Sequence, residues 1–317
     1  MESTEDSLSP YVSKFTNWER RASVRAKPRR LMGAAGEKAA LFFPPELVPV
    51  VQHPLVSSLG EETVRRLLLQ RLHIYLDFTA ELEQLAVNPV TQRISRRKTG
   101  IDLPGEMVAD AYKICTDESW HAQFTDDLQR QLAQVTGVGT PCHGQPYFLR
   151  RLDELTDAAP PGFRGLCPLF FTIVSETLIS SILSHIPRDQ RIMPAVRQVV
   201  ADHAEDEGRH HTYFVKVFEY TWEQLSPQYR QLAGPLLAEF IVAFLKPDYA
   251  ALTAMLATHR LTADEIQGVI EESHPKSQEQ REMRVAAHAT LRLLDRHGVF
   301  DDTSTYEAFA AHGLLEG

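Results

Sequence analysis

The chain has 317 residues, 43% of them hydrophobic and 24% charged, with a net charge of −9 at pH 7. That balance describes a folded globular protein rather than a disordered or fibrous one, and the acidity speaks against nucleic acid as the main partner. Three cysteines, Cys115, Cys142 and Cys167, show no Cys-x-x-Cys spacing, so neither a disulfide framework nor a thiolate zinc site is expected.

The first residues, MESTEDSLSP, are acidic and polar and lack the apolar core of a signal peptide. Residues 1–40 read as a polar arm with a basic cluster between Arg20 and Arg30, suited to packing on an acidic body or to docking an acidic partner such as a carrier protein. Residues 41–317 read as a single domain. From Glu61 onward apolar residues recur with the helical period. Helices are expected over 62–87, 105–134, 165–186, 190–222, 227–258 and 277–297, with shorter pieces near 262–271 and 304–313 and with Gly and Pro falling between them. No segment alternates as a strand does, so the class is all-α. The stretch from Gly137 to Pro161 is the longest irregular one and is expected to be a lid or access loop. The most apolar windows, 166–174 and 236–245, are interrupted by Pro168 and Glu239 and fall short of the roughly 20 residues of a membrane span. A soluble, cytoplasmic protein with no membrane partner is expected. The apolar face at 236–245 fits a homodimer contact and core packing equally well.

Four of the expected helices carry charged residues inside an apolar stripe. In the first, Leu72, Leu76, Thr79, Glu83 and Ala86 step by four, three, four and three, which puts Glu83 on the core face. Glu81 falls instead with Asp77, Gln84 and Asn88 on a polar row facing solvent. In the second, Met107, Ala111, Ile114, Glu118, His121 and Leu128 share a face, with the carboxylate and imidazole at i and i+3. The third runs through Thr172 or Ile173, Glu176, Ile179 and Leu183, and the fourth through Val196, Val200, His203, Glu207, His210, Phe214 and Val217.

One carboxylate from each of two helices, plus a Glu-x-x-His pair from each of two others, is the ligand pattern of ferritin-like di-iron bundles. Buried carboxylates and imidazoles at this density are costly unless paired or metal-bound. Oxygen and imidazole ligands without thiolate suit iron, and leave manganese open. The expected fold is therefore a ferritin-like, ribonucleotide-reductase-like four-helix bundle with additional helices. His203, one turn before Glu207, reads either as a third imidazole ligand or as a residue that orients a carboxylate.

With His203 included, the set Glu83, Glu118, His121, Glu176, His203, Glu207 and His210 resembles the di-iron arylamine N-oxygenases, the family of the p-aminobenzoate N-oxygenase of aureothin biosynthesis and of the arylamine oxygenase of the chloramphenicol pathway. The mark is His-x-x-x-Glu-x-x-His, present as His203-Ala-Glu-Asp-Glu207-Gly-Arg-His210, and the run from Thr79 to Glu83 and on through Val87-Asn88-Pro89-Val90 is similar to that family's first ligand helix. The resemblance spans roughly residues 15–300. It implies that Glu118 and Glu207 bridge two irons, that Glu83 and His121 complete one shell, and that Glu176, His203 and His210 complete the other. It also implies O₂-dependent conversion of an amine to hydroxylamine, nitroso or nitro product through a peroxo-bridged diferric species, with an external electron donor, in antibiotic biosynthesis. Family members hold a remote carboxylate with an arginine. Tyr75 and Arg284, or Arg281 in its place, are the candidates for such a pocket here. Three rivals stay open: a di-iron hydroxylase or desaturase acting on carbon in a carrier-bound chain, iron storage or ferroxidase activity, and a purely structural bundle.

Overall fold

After Gly60, whose φ of 97° breaks the preceding chain, the apolar run from Leu67 to Leu76 is buried along helix α1, Glu61–Glu81. The computed structural model describes residues 9–33, 40–141 and 144–315, the side chains of 180–182 excepted. Helix α1 does not end at Asn88-Pro89 as expected. It widens into a π turn over Leu82–Val87 and continues as α2, Asn88–Ser95. Pro89 has no N–H and its ring crowds the carbonyl one turn back, so a regular α-ladder is interrupted there. The wider turn absorbs this: the Asn88 N–H reaches Glu83 O, and Thr172 Oγ1 donates to Ala86 O at 3.2 Å. The extra residue in the turn also rotates the residues after it. Asn88, expected on the solvent row, is buried and donates to Ser119 Oγ at 3.2 Å.

Helix α3, Gly105–Thr136, closes on Gly137 in the left-handed region (φ 70°), a conformation glycine adopts without Cβ strain. The expected lid is corrected here. Residues Tyr147–Ala158 form helix α4, burying Phe148, Leu149, Leu152 and Leu155. That i, i+1, i+4, i+7 spacing is an amphipathic stripe, masked in the sequence by the surrounding Gly and Pro. Positions 142–143 lie outside the described residues. Helix α5 is Cys167–Leu183 and α6 is Pro194–Gln224. The single helix expected over 227–258 is two, α7 at Pro227–Leu245 and α8 at Tyr249–Ala257, because Pro247 cannot continue the ladder and the Asp248 side chain caps Ala251 N. Helices α9 (Ala263–Ser273), α10 (Lys276–Arg296) and α11 (Thr303–Ala311) complete the chain, α9 opening on a Thr262–Glu265 capping box.

In the core, α1 with its π turn and α2 packs along α3, α5 packs along α6, and the two pairs face each other. Every side chain from Leu169 to Ile179 on α5 is buried, as befits a helix enclosed on all sides. Helices α4, α7 and α10 cover α5 from outside, and α11 seats on α7. The stretch from Pro227 to Ala257 contains an 18-residue window apolar enough to cross a membrane by length and composition, and half of that window is buried inside the protein. Among the described residues there is no strand, only a lone parallel bridge between Leu41 and Ile192. The N-terminal arm lies across α3 and α6 and contributes Tyr11, Phe15, Trp18 and Ala22 to the buried core. Architecture and helix content make this an all-α, ferritin-like fold.

Candidate metal centre

The four bundle helices bring seven side chains to one buried place. The π turn presents Glu83; α3 presents Glu118 and His121; α5 presents Glu176; α6 presents His203, Glu207 and His210. None is more than 2% exposed. Their donor atoms fall into two groups. Glu83, Glu118, His121, His203 and Glu207 form one, and Glu118, Glu176, Glu207 and His210 form the other, with the atoms of each group within 4.8 Å of one another. Glu118 and Glu207 belong to both groups. His203 joins the group of Glu83 and His121, whereas the sequence resemblance put it with Glu176 and His210. Its Nε2 lies 3.0 Å from Glu207 Oε1 and 3.4 Å from Glu83 Oε1.

The other two imidazoles turn Nδ1 inward. His121 Nδ1 is 2.7 Å from Glu118 Oε2 and 3.5 Å from Glu207 Oε1, and His210 Nδ1 is 2.8 Å from Glu118 Oε1 and 3.3 Å from Glu207 Oε1. Their Nε2 atoms face outward to two aspartates that sequence reasoning missed. His121 Nε2 meets Asp206 at 3.1 Å, and His210 Nε2 meets Asp117 at 3.3 Å. The pairing is crossed, each aspartate serving the histidine of the opposite helix. Both motifs in fact read Asp-Glu-x-x-His, and that doubled aspartate was the available signal. The arm fixes both acids. Trp18 Nε1 donates to Asp117 at 2.8 and 2.9 Å, and the Ser23 N–H donates to Asp206, which Arg209 also pairs. Carboxylates that hold the far nitrogen of a histidine fix its tautomer and aim the near nitrogen at a metal.

Charge in the cluster is unbalanced. Burial and repulsion from Glu207, Glu118 and Glu83 hold the Glu176 carboxyl well above its ordinary range, and burial with Glu118 pushes Glu83 from 4.5 to about 8 against the pull of His203. Burial would raise Glu207 and Glu118 too, but the imidazoles of His210 and its neighbours hold both below the usual carboxylate range. Burial would lower His121 and His210, but Glu118, Glu207 and the outer aspartates raise both well above it. Several inward atoms also make no well-directed hydrogen bond among the described residues despite these short approaches, among them Glu83 Oε2, both oxygens of Glu176 and of Glu207, and His210 Nδ1. Buried unsatisfied oxygens and nitrogens at this density are normally avoided, and two cations would satisfy them and offset the repulsion. The donor set fits a di-metal site.

Tyr75 stands two turns before Glu83 on α1. It is buried, and its hydroxyl has no hydrogen-bond partner among the described residues. It borders a cavity of about 780 Å³ walled by Phe43, Phe78, Phe148 and Phe244, among others. Arg281 on α10 lines this cavity, together with Val285 and Ala286. Arg284 does not; at about 100° per residue it lies on another face of that helix. A second arginine that sequence reasoning passed over, Arg71 on α1, also lines the cavity.

The family model of the p-aminobenzoate N-oxygenase AurF matches residues 18–298. The 4-aminobenzoate N-oxygenase of Streptomyces thioluteus is 26% identical over 244 residues, covering 74% of this chain and 71% of that protein. A match through all four bundle helices, over a buried centre of the donor composition described above, establishes that the chain is an oxygenase belonging to the p-aminobenzoate N-oxygenase family.

Proposed function

We propose that this protein is a non-haem di-iron monooxygenase that uses O₂ to oxidise the nitrogen of an aromatic amine, giving a hydroxylamine and its nitroso or nitro successors, in the biosynthesis of a natural product. The observation that carries the reading is the pair of donor groups sharing Glu118 and Glu207, in a chain of the N-oxygenase family. In this reading Glu83, Glu118, His121, His203 and Glu207 hold one iron, and Glu118, Glu176, Glu207 and His210 hold the other. When bound, the irons would supply the activation of O₂. The chain's own part is to hold the histidines in one tautomer through Asp117 and Asp206, to keep water out with Phe15 stacked on His210 and Phe124 against His121 and His203, and to aim the amine from the cavity past Tyr75. Electrons come from an external donor, and the setting is the cytoplasm.

The rival that attacks carbon in a carrier-bound chain draws on the basic arm. Three of those charges are engaged within the molecule: Lys27 with Glu205 at 2.5 Å, Arg29 with Asp127 at 2.8 Å and Arg30 with Asp202 at 2.7 Å. That favours a free small-molecule amine over a docked carrier. The test is to incubate the iron-loaded, chemically reduced protein with ¹⁸O₂ and 4-aminobenzoate and to follow products by mass spectrometry. Label appearing on nitrogen supports the reading. A ring-hydroxylated product, or conversion of carrier-bound chains only, would overturn it.

A further inference from the structure

Where α2 ends, four cations fall within the short stretch from Arg93 to Lys98: Arg93, Arg96, Arg97 and Lys98. The last three are exposed. Among the described residues none of the four forms an ion pair with a carboxylate. Neutral oxygens hold the guanidiniums instead. Arg93 Nη1 donates to Gly165 O at 2.9 Å, Arg97 Nη1 to Leu103 O at 3.2 Å, and Arg96 Nη1 to the Tyr112 hydroxyl at 3.2 Å. A guanidinium carries five N–H donors and keeps its charge in a protein. Each of these contacts therefore fixes the group in place and leaves its charge, and most of its donors, for a partner. Arg97 also takes a φ of 53°, a left-handed conformation uncommon outside glycine. The basic arm differs in kind, because Lys27, Arg29 and Arg30 are each paired with a carboxylate of the body.

This patch and the large cavity beyond Tyr75 lie at opposite ends of the bundle. Along α1, its π turn and α2, Tyr75 borders the cavity about 12 Å before Glu83, and Arg93 stands about 15 Å after it. Helix α5 runs the other way. Gly165, which accepts from Arg93, comes just before that helix, Glu176 lies within it, and Ser184 at its far end borders the cavity. No residue between 79 and 145 lines the cavity. The metal-binding side chains thus stand between the two. A macromolecule seated on the patch cannot bring a tethered substrate to the cavity without threading the packed core. What it can deliver must pass through the protein, and electrons do.

The chain carries a net charge of −9, so an acidic partner is repelled except where cations stand unpaired, and there it is steered and oriented. We infer that the Arg93–Lys98 face, with Tyr112 at its edge, is the docking surface of a small acidic electron-transfer protein that reduces the metal centre. The inference rests on the amine-oxidising reading above, which needs an external donor, and adds where that donor sits and what charge it carries. Each docking passes one electron, the donor being oxidised and the centre reduced. Two dockings supply the two electrons that, with two protons, O₂ and the amine, give a hydroxylamine and water. Tyr112 is 49% exposed, and tyrosine and arginine are the residue types that anchor protein interfaces. Contacts that pass electrons are small and weak, below about 1,200 Å², which suits a patch of this extent.

The test uses the iron-loaded full chain, kept free of O₂, with an acidic [2Fe–2S] ferredoxin as the probe. Two quantities are read: the affinity for gallium-substituted ferredoxin, which binds without passing electrons, and the rate at which reduced ferredoxin reduces the ferric centre. The unsubstituted protein is compared with the double variant Arg96→Glu, Lys98→Glu. A second double variant, Arg292→Glu, Arg296→Glu on α10, makes the same change in net charge elsewhere. The patch variant should lose at least about tenfold in both quantities at low salt, the scale of electrostatic steering. That gap should close as added salt shortens the reach of charge, and the α10 variant should stay close to the unsubstituted protein. The methyl viologen radical, too small to need a docking face, should reduce all three proteins alike, which also shows them folded and loaded. An equal loss in the α10 variant, no loss in the patch variant, or no reduction by ferredoxin at low salt would each sink the inference. So would an acidic carrier protein whose bound amine is oxidised with the same dependence on Arg96 and Lys98. The two readings fail separately. If a chemically reduced protein oxygenates an amine on nitrogen but the patch has no effect on ferredoxin, the docking face is wrong and the activity stands. If ferredoxin depends on the patch but no amine gains oxygen on nitrogen, the docking face stands and the activity is wrong.

Discussion

Oδ2 of Asp117, on α3, lies 3.3 Å from Nε2 of His210, on α6, and so ties together two helices whose inward faces carry most of the atoms that could hold a metal. The same carboxylate accepts the indole N–H of Trp18, which brings the N-terminal arm into the support of the centre. Removing such a partner typically costs 10- to 100-fold in metal affinity. Asp117→Ala should therefore release iron to a competing chelator at a free-chelator level about one to two orders of magnitude lower than the unsubstituted protein. Trp18→Phe, which keeps the ring and loses only the donor, should show a smaller shift in the same direction. Equal retention in all three proteins would remove Asp117 from the support of the site.

Stability without metal should fall as pH rises. Glu83, at about 8, and Glu176 are raised in the fold, so the stability they contribute is present below the ordinary value of 4.5 and is lost as pH climbs through their folded values. The raised His121 and His210 have the same sign, their contribution being complete below 6.5 and lost above it. Glu118, Glu207 and Asp206, all lowered, act oppositely, and their contribution is lost only as pH falls below the carboxylate range. Between pH 5 and 8 the first set decides, at about 1.4 kcal/mol per pH unit for each proton released. Thermal unfolding of the chelated protein should show Tm falling across that window, with a shallower slope in Glu83→Gln. Metal binding requires deprotonated ligands, so the metal's stabilising effect should grow over the same window.

The π turn that carries Glu83 leans on one side chain of α5. Thr172 donates to Ala86 O, and replacing it with valine keeps the shape but removes that hydrogen bond. Thr172→Val should cost about 0.5–1.5 kcal/mol in a denaturant titration. It should also weaken metal binding, because Glu83 is held by this turn. A stable variant with unchanged metal affinity would show that the turn holds its shape without Thr172.

Gly234 on α7 faces Thr305 of α11 so closely that a Cβ there would overlap the threonine side chain. Alanine is the better helix former, yet Gly234→Ala should destabilise by about 1–3 kcal/mol, because overpacking outweighs propensity at a tight crossing. Gly234→Ala combined with Thr305→Ala should recover much of that loss, and the paired unfolding curves measure it.

Much of the centre is legible in the sequence because helices make position periodic. Glu83, Glu118, His121, Glu176, His203, Glu207 and His210 all fall on apolar stripes, and a charge on an apolar stripe is a charge in the core. The four long bundle helices come from the same period. It fails where the period is broken or hidden. Asn88 changes face because one extra residue in a π turn rotates everything after it, and that turn is held by a proline and by Thr172 of a different helix. Helix α4 is concealed by the glycines and prolines around it, and Pro247 divides α7 from α8. What only the tertiary structure decides is cross-helix contact: that Asp117 serves His210 and Asp206 serves His121, that His203 joins Glu83 rather than Glu176, and that Arg71 and Arg281 rather than Arg284 line the cavity. Local periodicity says which way a side chain points within its own helix. Which atoms it meets depends on the packing of the other helices, and that is settled only when they come together.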